Sequence, residues 1–193
     1  MRKRSRTVAL SILGATAFTL AGCREEQVEA QAYPDLESCK AAAGQGGLVS
    51  ASECDTAFAE AQTLHVESAP RYDALSVCEE QHGAGNCGSE AEAAGGGSGS
   101  IFMPLLAGYL IGNMLGGRGG LAGSQPLYKN GQGGFSNASG TSNYSSNAGK
   151  AKIGASNFTK PAATIGKPPM TKATAASRGG FGRSGGTRGG FGG

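Results

Sequence analysis

The chain has 193 residues, 35 of them glycine, with no tryptophan and only 6% aromatic residues. Its length admits one ordinary domain, but glycine stands at more than twice the ~7% of a typical soluble domain. That excludes one apolar core spread evenly along the chain and points to a small folded part beside a long disordered one. The formal charge of +3 conceals a division: residues 24–92 hold all 14 acidic residues against three basic ones (−11), and residues 93–193 hold ten basic residues and no acid (+10).

The N-terminus reads MRKRSR, then the uncharged TVALSILGATAFTL, then Leu20-Ala21-Gly22-Cys23. A basic region, a short apolar region and small residues before a cut site form a secretory signal, and the apolar run falls short of the ~20 residues of a membrane span. LAGC resembles a bacterial lipobox, which implies a signal peptide over 1–22 and a covalent lipid on Cys23. Arg24, in place of Asp, favours the outer membrane by resemblance to Gram-negative sorting rules. Several acyl chains anchor stably where one is marginal. The mature chain then carries 13 basic and 14 acidic residues, a net −1.

Residues 23–32 read as a polar tether, and residues 33–88 as an acidic, disulfide-stapled helical module. The pattern Leu-x2-Cys-x4-Gly occurs at 36, 39, 44 and again at 75, 78, 83. Each copy starts near a capping aspartate, Asp35 or Asp73, and ends at a glycine suited to a helix C-terminus. Each predicts a short helix that buries its Leu and Cys. Between them, Ser52 as N-cap and the spacing of Cys54, Phe58, Ala61 and Leu64 or His65 predict a central helix over about 53–68, which Pro70 brings to an end.

Four cysteines remain besides Cys23: Cys39, Cys54, Cys78 and Cys87. An even set in a small exported segment reads as disulfides, and about 55 residues with few large apolar side chains need such staples. The near-repeat favours Cys39–Cys54 and Cys78–Cys87, loops worth roughly 2–3 kcal/mol each in the chain-entropy model. A zinc site with His65 or His82 lacks any Cys-x2-Cys, so no metal is expected. His65 reads as a residue of the central helix face, and His82 as a cation favouring a helix C-terminus. No nucleophile–base pair stands out, so no catalytic residue is assigned and no enzyme is expected; the only non-protein group expected is the lipid on Cys23.

Residues 93–100 read as a Gly/Ser linker. In residues 101–117, IFMPLLAGYLIGNMLGG, Gly108, Gly112 and Gly116 lie four apart, and Pro104 suits a first helical position. These features predict a short apolar helix of about 18 Å, too short to span ~30 Å of hydrocarbon. It would insert in one leaflet, self-associate through 104–116, or pack on the module or a partner. Residues 118–193 read as a basic, low-complexity, disordered tail. Its Arg178, Arg183 and Arg188 are expected to contact an anionic surface: an envelope component, an acidic protein, or the acidic module itself. The fold class expected is thus mainly α.

The lipobox, the four cysteines with Ala69-Pro70-Arg71-Tyr72 before the third, the run Phe102-Met103-Pro104-Leu105-Leu106-Ala107-Gly108-Tyr109 and the later Ser177-Arg178-Gly179-Gly180-Phe181-Gly182 together resemble the YgiB-like family of uncharacterised proteobacterial lipoproteins. The resemblance covers most of the chain. It implies an envelope location and carries over no reaction and no catalytic residue. The function expected is that of a non-enzymatic envelope lipoprotein acting as a structural or interaction protein, bound to the membrane through its lipid. Two further readings are a membrane-inserting or self-associating accessory protein of the envelope stress or biofilm type, and an Arg-Gly tail for nucleic acid. Export argues against any specific nucleic acid partner.

Overall fold

Gln27-Val28-Glu29-Ala30-Gln31-Ala32-Tyr33 alternates polar and apolar side chains, the period of a strand. In the computed structural model, which describes residues 26–46, 49–97, 99–113 and 123–178, this stretch is strand β1, Gln27–Tyr33, with Val28, Ala30 and Ala32 buried. The expected tether is therefore part of the fold from Gln27 onward. Three helices follow: α1 Leu36–Ala43, α2 Ala51–Ser68 and α3 Leu75–His82. Asp35 caps α1, its Oδ1 accepting the Ser38 N–H at 2.7 Å. Ser50, rather than Ser52, caps α2, in a reciprocal box with Glu53 that satisfies two otherwise orphaned donors. Asp73 does not cap α3; Ala74 holds that position without a side-chain bond.

The remaining elements are β2 Cys87–Ser89, α4 Glu90–Ala94, β3 Phe102–Pro104, β4 Gly108–Asn113, β5 Gly123–Lys129, β6 Phe135–Ser136, β7 Asn143–Tyr144, β8 Gly149–Gly154, a 3-10 turn Ala155–Phe158 and α5 Lys172–Ser177. Strands β2 and β3 pair with each other, and the other six form one sheet in the order β7-β6-β5-β4-β1-β8, antiparallel at every pairing. The fold is thus mixed, and the mainly α expectation is overturned. Helices α1 and α2 cover one face, where Tyr33, Tyr109 and Ile111 pack with Cys39, Cys54, Ala57 and Ala61. On the other face Ala30, Ala32, Leu110 and Leu127 are covered by Tyr144, Ile153 and Phe158. Asn157 draws the two ends of the sheet together, its Oδ1 accepting from Ser142 and from the Tyr144 hydroxyl.

The disulfides join Cys39 to Cys54 and Cys78 to Cys87, the pairing the near-repeat favours. The first fastens α1 to α2 and the second fastens α3 to β2. The buried cysteines of the repeat are Cys39 and Cys78, while its second leucine, Leu75, is 40% exposed.

The glycine-spaced segment is not a helix. Pro104 ends β3 and residues 108–113 form β4. A run buried on both faces loses the alternation that marks a strand, and Tyr109, Leu110 and Ile111 are all buried. The glycines serve close approach instead of helix pairing. At Gly108, with φ +144°, a Cβ would lie 2.7 Å from the Tyr33 carbonyl oxygen, and at Gly112 a Cβ would run into the Phe158 ring. Gly116 lies outside the described residues.

Residues 123–178 of the expected disordered tail are likewise folded, with Leu127, Tyr128 and Phe135 buried and asparagine side chains holding the turns between them. The Asn130 Oδ1 accepts the N–H groups of Gln132 and Gly134, and the Asn137 Oδ1 accepts those of Ser142 and the Ser139 hydroxyl. Such side chains mimic backbone in turns. The basic segment also folds back on the acidic module: Lys160 pairs with Glu67 and Lys172 with Glu80, at 2.8 and 2.6 Å.

Gly112→Ala should displace Phe158 and cost about 1–3 kcal/mol of stability, the usual range for overpacking, as read by chemical denaturation. Combined with Phe158→Ala, the same substitution should cost much less than the two single effects summed.

Candidate functional site

The motif residues Ala69-Pro70-Arg71-Tyr72 leave the end of α2 and meet the second motif across paired backbone bonds. The Tyr72 N–H donates to the Phe102 carbonyl at 2.8 Å, and the Phe102 N–H donates back at 2.9 Å. On the other side the Met170 N–H donates to the Arg71 carbonyl and the Asp73 N–H to the Met170 carbonyl. The acidic module, the motif strand and the basic segment therefore converge on two residues.

Arg71 is buried, at 4% exposure. Its Nε donates to Glu90 Oε1 at 2.7 Å, its Nη2 to the Val66 carbonyl at 2.7 Å, and its Nη1 to the Ala69 carbonyl and the Thr164 hydroxyl. The last carbonyls of a helix have no partner within it, and a cation there also meets the negative end of the helix dipole. Arg71 thus completes the end of α2 while its charge is balanced by Glu90 of α4.

Beside it runs a buried ladder of phenols and imidazoles. The His82 Nδ1 lies 2.7 Å from the Lys129 carbonyl and its Nε2 lies 2.9 Å from the Tyr72 hydroxyl. A carbonyl only accepts, so Nδ1 carries the proton and Nε2 accepts from Tyr72. By the same logic His65 donates from Nε2 to the Ala93 carbonyl at 2.9 Å and accepts at Nδ1 from the Tyr128 hydroxyl at 3.1 Å. The rings of Tyr72, His82, Tyr128 and His65 follow one another at 5.7, 6.3 and 5.7 Å. Burial pushes the His82 imidazole down to about 4 and lowers that of His65, and burial raises both phenols. His82 is therefore a neutral structural residue, not the cation expected at a helix end.

With each imidazole lone pair accepting a phenol proton, the ladder offers no ligand to a metal and no base to a substrate. Its action is to fasten β5, through Tyr128 and Lys129, to α2 and α3, with His65 tying in α4 through the Ala93 carbonyl. Among the described residues no group of His, Cys, Asp or Glu is gathered to hold a metal ion. Of the residues singled out from sequence, Gly108 and Gly112 lie in β4. Arg178 is exposed, its Nη1 3.6 Å from the Met170 sulfur. Cys23, Arg183 and Arg188 lie outside the described residues. Sequence reasoning missed Tyr128, Glu90 and Thr164 as members of this junction; only the Ala-Pro-x-Tyr motif marks the place.

A family model described as "Protein of unknown function (DUF1190)" matches residues 27–193. The chain belongs to this family. A UPF0441 protein of Klebsiella pneumoniae is 33% identical over a 192-residue alignment that covers 92% of this chain and 79% of the relative, and a UPF0441 protein of Erwinia tasmaniensis matches to the same extent. The uncharacterised proteobacterial family anticipated from the motifs is borne out. No solved structure matches. Neither the family nor these relatives carries an enzyme-type name.

A histidine whose folded pKa lies below its unfolded value leaves the unfolded chain binding more protons in acid. Stability should therefore fall as pH drops below about 6.5 and go on falling to about 4, with a loss for His82 on the order of 3 kcal/mol. Denaturation midpoints measured across that range check it, and His82→Gln should flatten the slope. Tyr72→Phe, which strands the His82 acceptor, should cost about 1–3 kcal/mol. Tyr109→Phe should cost nothing or stabilise, because the buried Tyr109 hydroxyl has no hydrogen-bond partner among the described residues.

Proposed function

We propose that the chain is a non-enzymatic lipoprotein of the cell envelope, held by a lipid on Cys23 at the outer membrane and facing the periplasm. Its folded body acts as a structural or interaction module. The observation that carries this reading is the lipobox standing directly before a disulfide-bonded body. LAGC ends at Cys23, and β1 begins at Gln27, four residues on. A tether of that length spans at most ~14 Å, so a lipid on Cys23 would keep the sheet next to the headgroups. Two disulfides in one small body support an oxidising compartment.

The partner surface is smaller than the +10 charge suggests. Lys160 and Lys172 are engaged with Glu67 and Glu80. Lys150, Lys152, Lys167 and Arg178 are exposed and are the described cations suited to an anionic envelope component, with Arg183 and Arg188 following in sequence. Residues 108–111 place their side chains inside the sheet, so this segment offers the bilayer no apolar helix.

Labelled palmitate should enter the wild-type protein and not a Cys23→Ser variant; equal labelling of both would reject the anchor. Binding of the non-acylated variant to vesicles containing phosphatidylglycerol should fall steeply with salt, as screening requires. Retention that ignores salt would reject the electrostatic contact.

A further inference from the structure

The curled end of the sheet holds a cleft of about 300 Å³. Gln125 of β5 and Asn137, which follows β6, are buried at its base, 3% and 9% exposed. Ser139 and Thr141 on the β6–β7 turn stand on one side, and Asn157 and Thr159, in and after the 3-10 turn, on the other. Its volume lies at the lower end of small-molecule sites.

The lining chemistry narrows the occupant. Among the described residues no carboxylate lines the cleft, so a metal ion or an amine finds no counter-charge there. One ammonium, Lys160, reaches it, and that group is paired with Glu67 at 2.8 Å, so an anion meets a charge already engaged. Among the described residues Pro161 is the only apolar side chain in the wall, so an acyl chain or an aromatic ring would gain little from burial. What remains is amides and hydroxyls, each able to donate and to accept. They match a neutral ligand that alternates donors and acceptors around its own rim.

These groups are held in place before any ligand arrives. The Asn137 Nδ2 donates to the Thr141 hydroxyl at 3.2 Å, and the Ser139 and Thr141 hydroxyls lie 2.8 Å apart. The Asn157 Nδ2 donates to the Gly154 carbonyl at 3.0 Å while its Oδ1 is bonded to Ser142 and Tyr144. Bonding capacity remains on the inner groups. Gln125 gives one amide proton to the Thr159 carbonyl in a long bond of 3.4 Å, and among the described residues neither its carbonyl oxygen nor the Thr159 hydroxyl makes a hydrogen bond. Fixed polar groups with spare valence lower the ordering cost of binding.

We propose that this cleft is a saccharide-binding site, taking one or two neutral sugar units through Gln125, Thr159 and the turn hydroxyls. The inference is independent of the lipid anchor. The test is an NMR titration of the isotopically labelled full chain, in buffer or detergent free of sugars, with maltose, N,N′-diacetylchitobiose and inorganic phosphate as probes. At least one saccharide should shift the amide signals of residues 137–142 and 155–160 saturably, with a Kd of about 1 mM or tighter. Ser139→Trp, an exposed change that fills the mouth, should weaken that binding by about tenfold or more, and Thr141→Trp provides the same block from a second position should the first variant fail to fold. Failure of both sugars to produce a saturable shift would overturn the proposal. So would binding that survives both tryptophan variants, or phosphate binding tighter than either sugar.

Discussion

The guanidinium of Arg71 lies where the end of α2, the start of α4 and the segment around Thr164 come together, and it bonds to all three. Moving such an ion pair out of water is expensive, so its formation adds little net stability, whereas removing one partner leaves a buried charge and typically costs 3–5 kcal/mol. Its value here is registry. Once Arg71 is bonded to Glu90 and Thr164, Tyr72 is set between Phe102 and Met170, and its hydroxyl is in place for His82. The rest of the ladder follows from that placement, and with it the attachment of the sheet to the helices.

A chain this poor in large apolar side chains reaches one structure by other means. The buried positions that α1 and α2 contribute are small, Ala57, Ala61 and the Cys39–Cys54 bond among them, and they receive Tyr33, Tyr109 and Ile111 of the sheet. Covalent links hold the helical end, and amide-built turns hold the strand end. Between the two, paired polar groups occupy the space that leucine and phenylalanine would fill elsewhere. The consequence is specificity more than surplus stability, because each buried donor tolerates only the acceptor it has.

The parts legible in sequence were those with local causes. The pairing of the cysteines followed from a repeat in which each helix and its loop close on themselves, and α2 followed from its apolar spacing and from Pro70. The strands failed for identifiable reasons. In β1 the alternation was present but was carried by one valine and two alanines between glutamines and a single glutamate, which reads as solvent-exposed polarity. In β4 both faces are buried, so Gly108 and Gly112 suggested the period of a helix, when one adjoins the Tyr33 carbonyl and the other the Phe158 ring. In residues 123–178 the composition is that of disordered chains, and only the placement of Asn130, Asn137 and Asn157 at turns distinguishes it from one. The cleft at the curled end was invisible for the same reason: its walls are brought together by β5, the β6–β7 turn and the exit from β8, which no local pattern connects.

The position of β1 in the sheet bears on how the protein comes to exist. Although first in the chain, it lies between β4 and β8, with Val28 facing Ile153 and Ala32 facing Leu110. Neither neighbour exists until most of the polypeptide has been made, and contacts so remote in sequence form slowly. The two disulfide loops, in contrast, can close as soon as their own short stretches emerge. Sequence separation therefore favours assembly from the stapled helices outward, with β1 gaining both of its partners late. Under the export proposed above, that order would keep the N-terminal end unpaired until most of the chain had crossed the membrane.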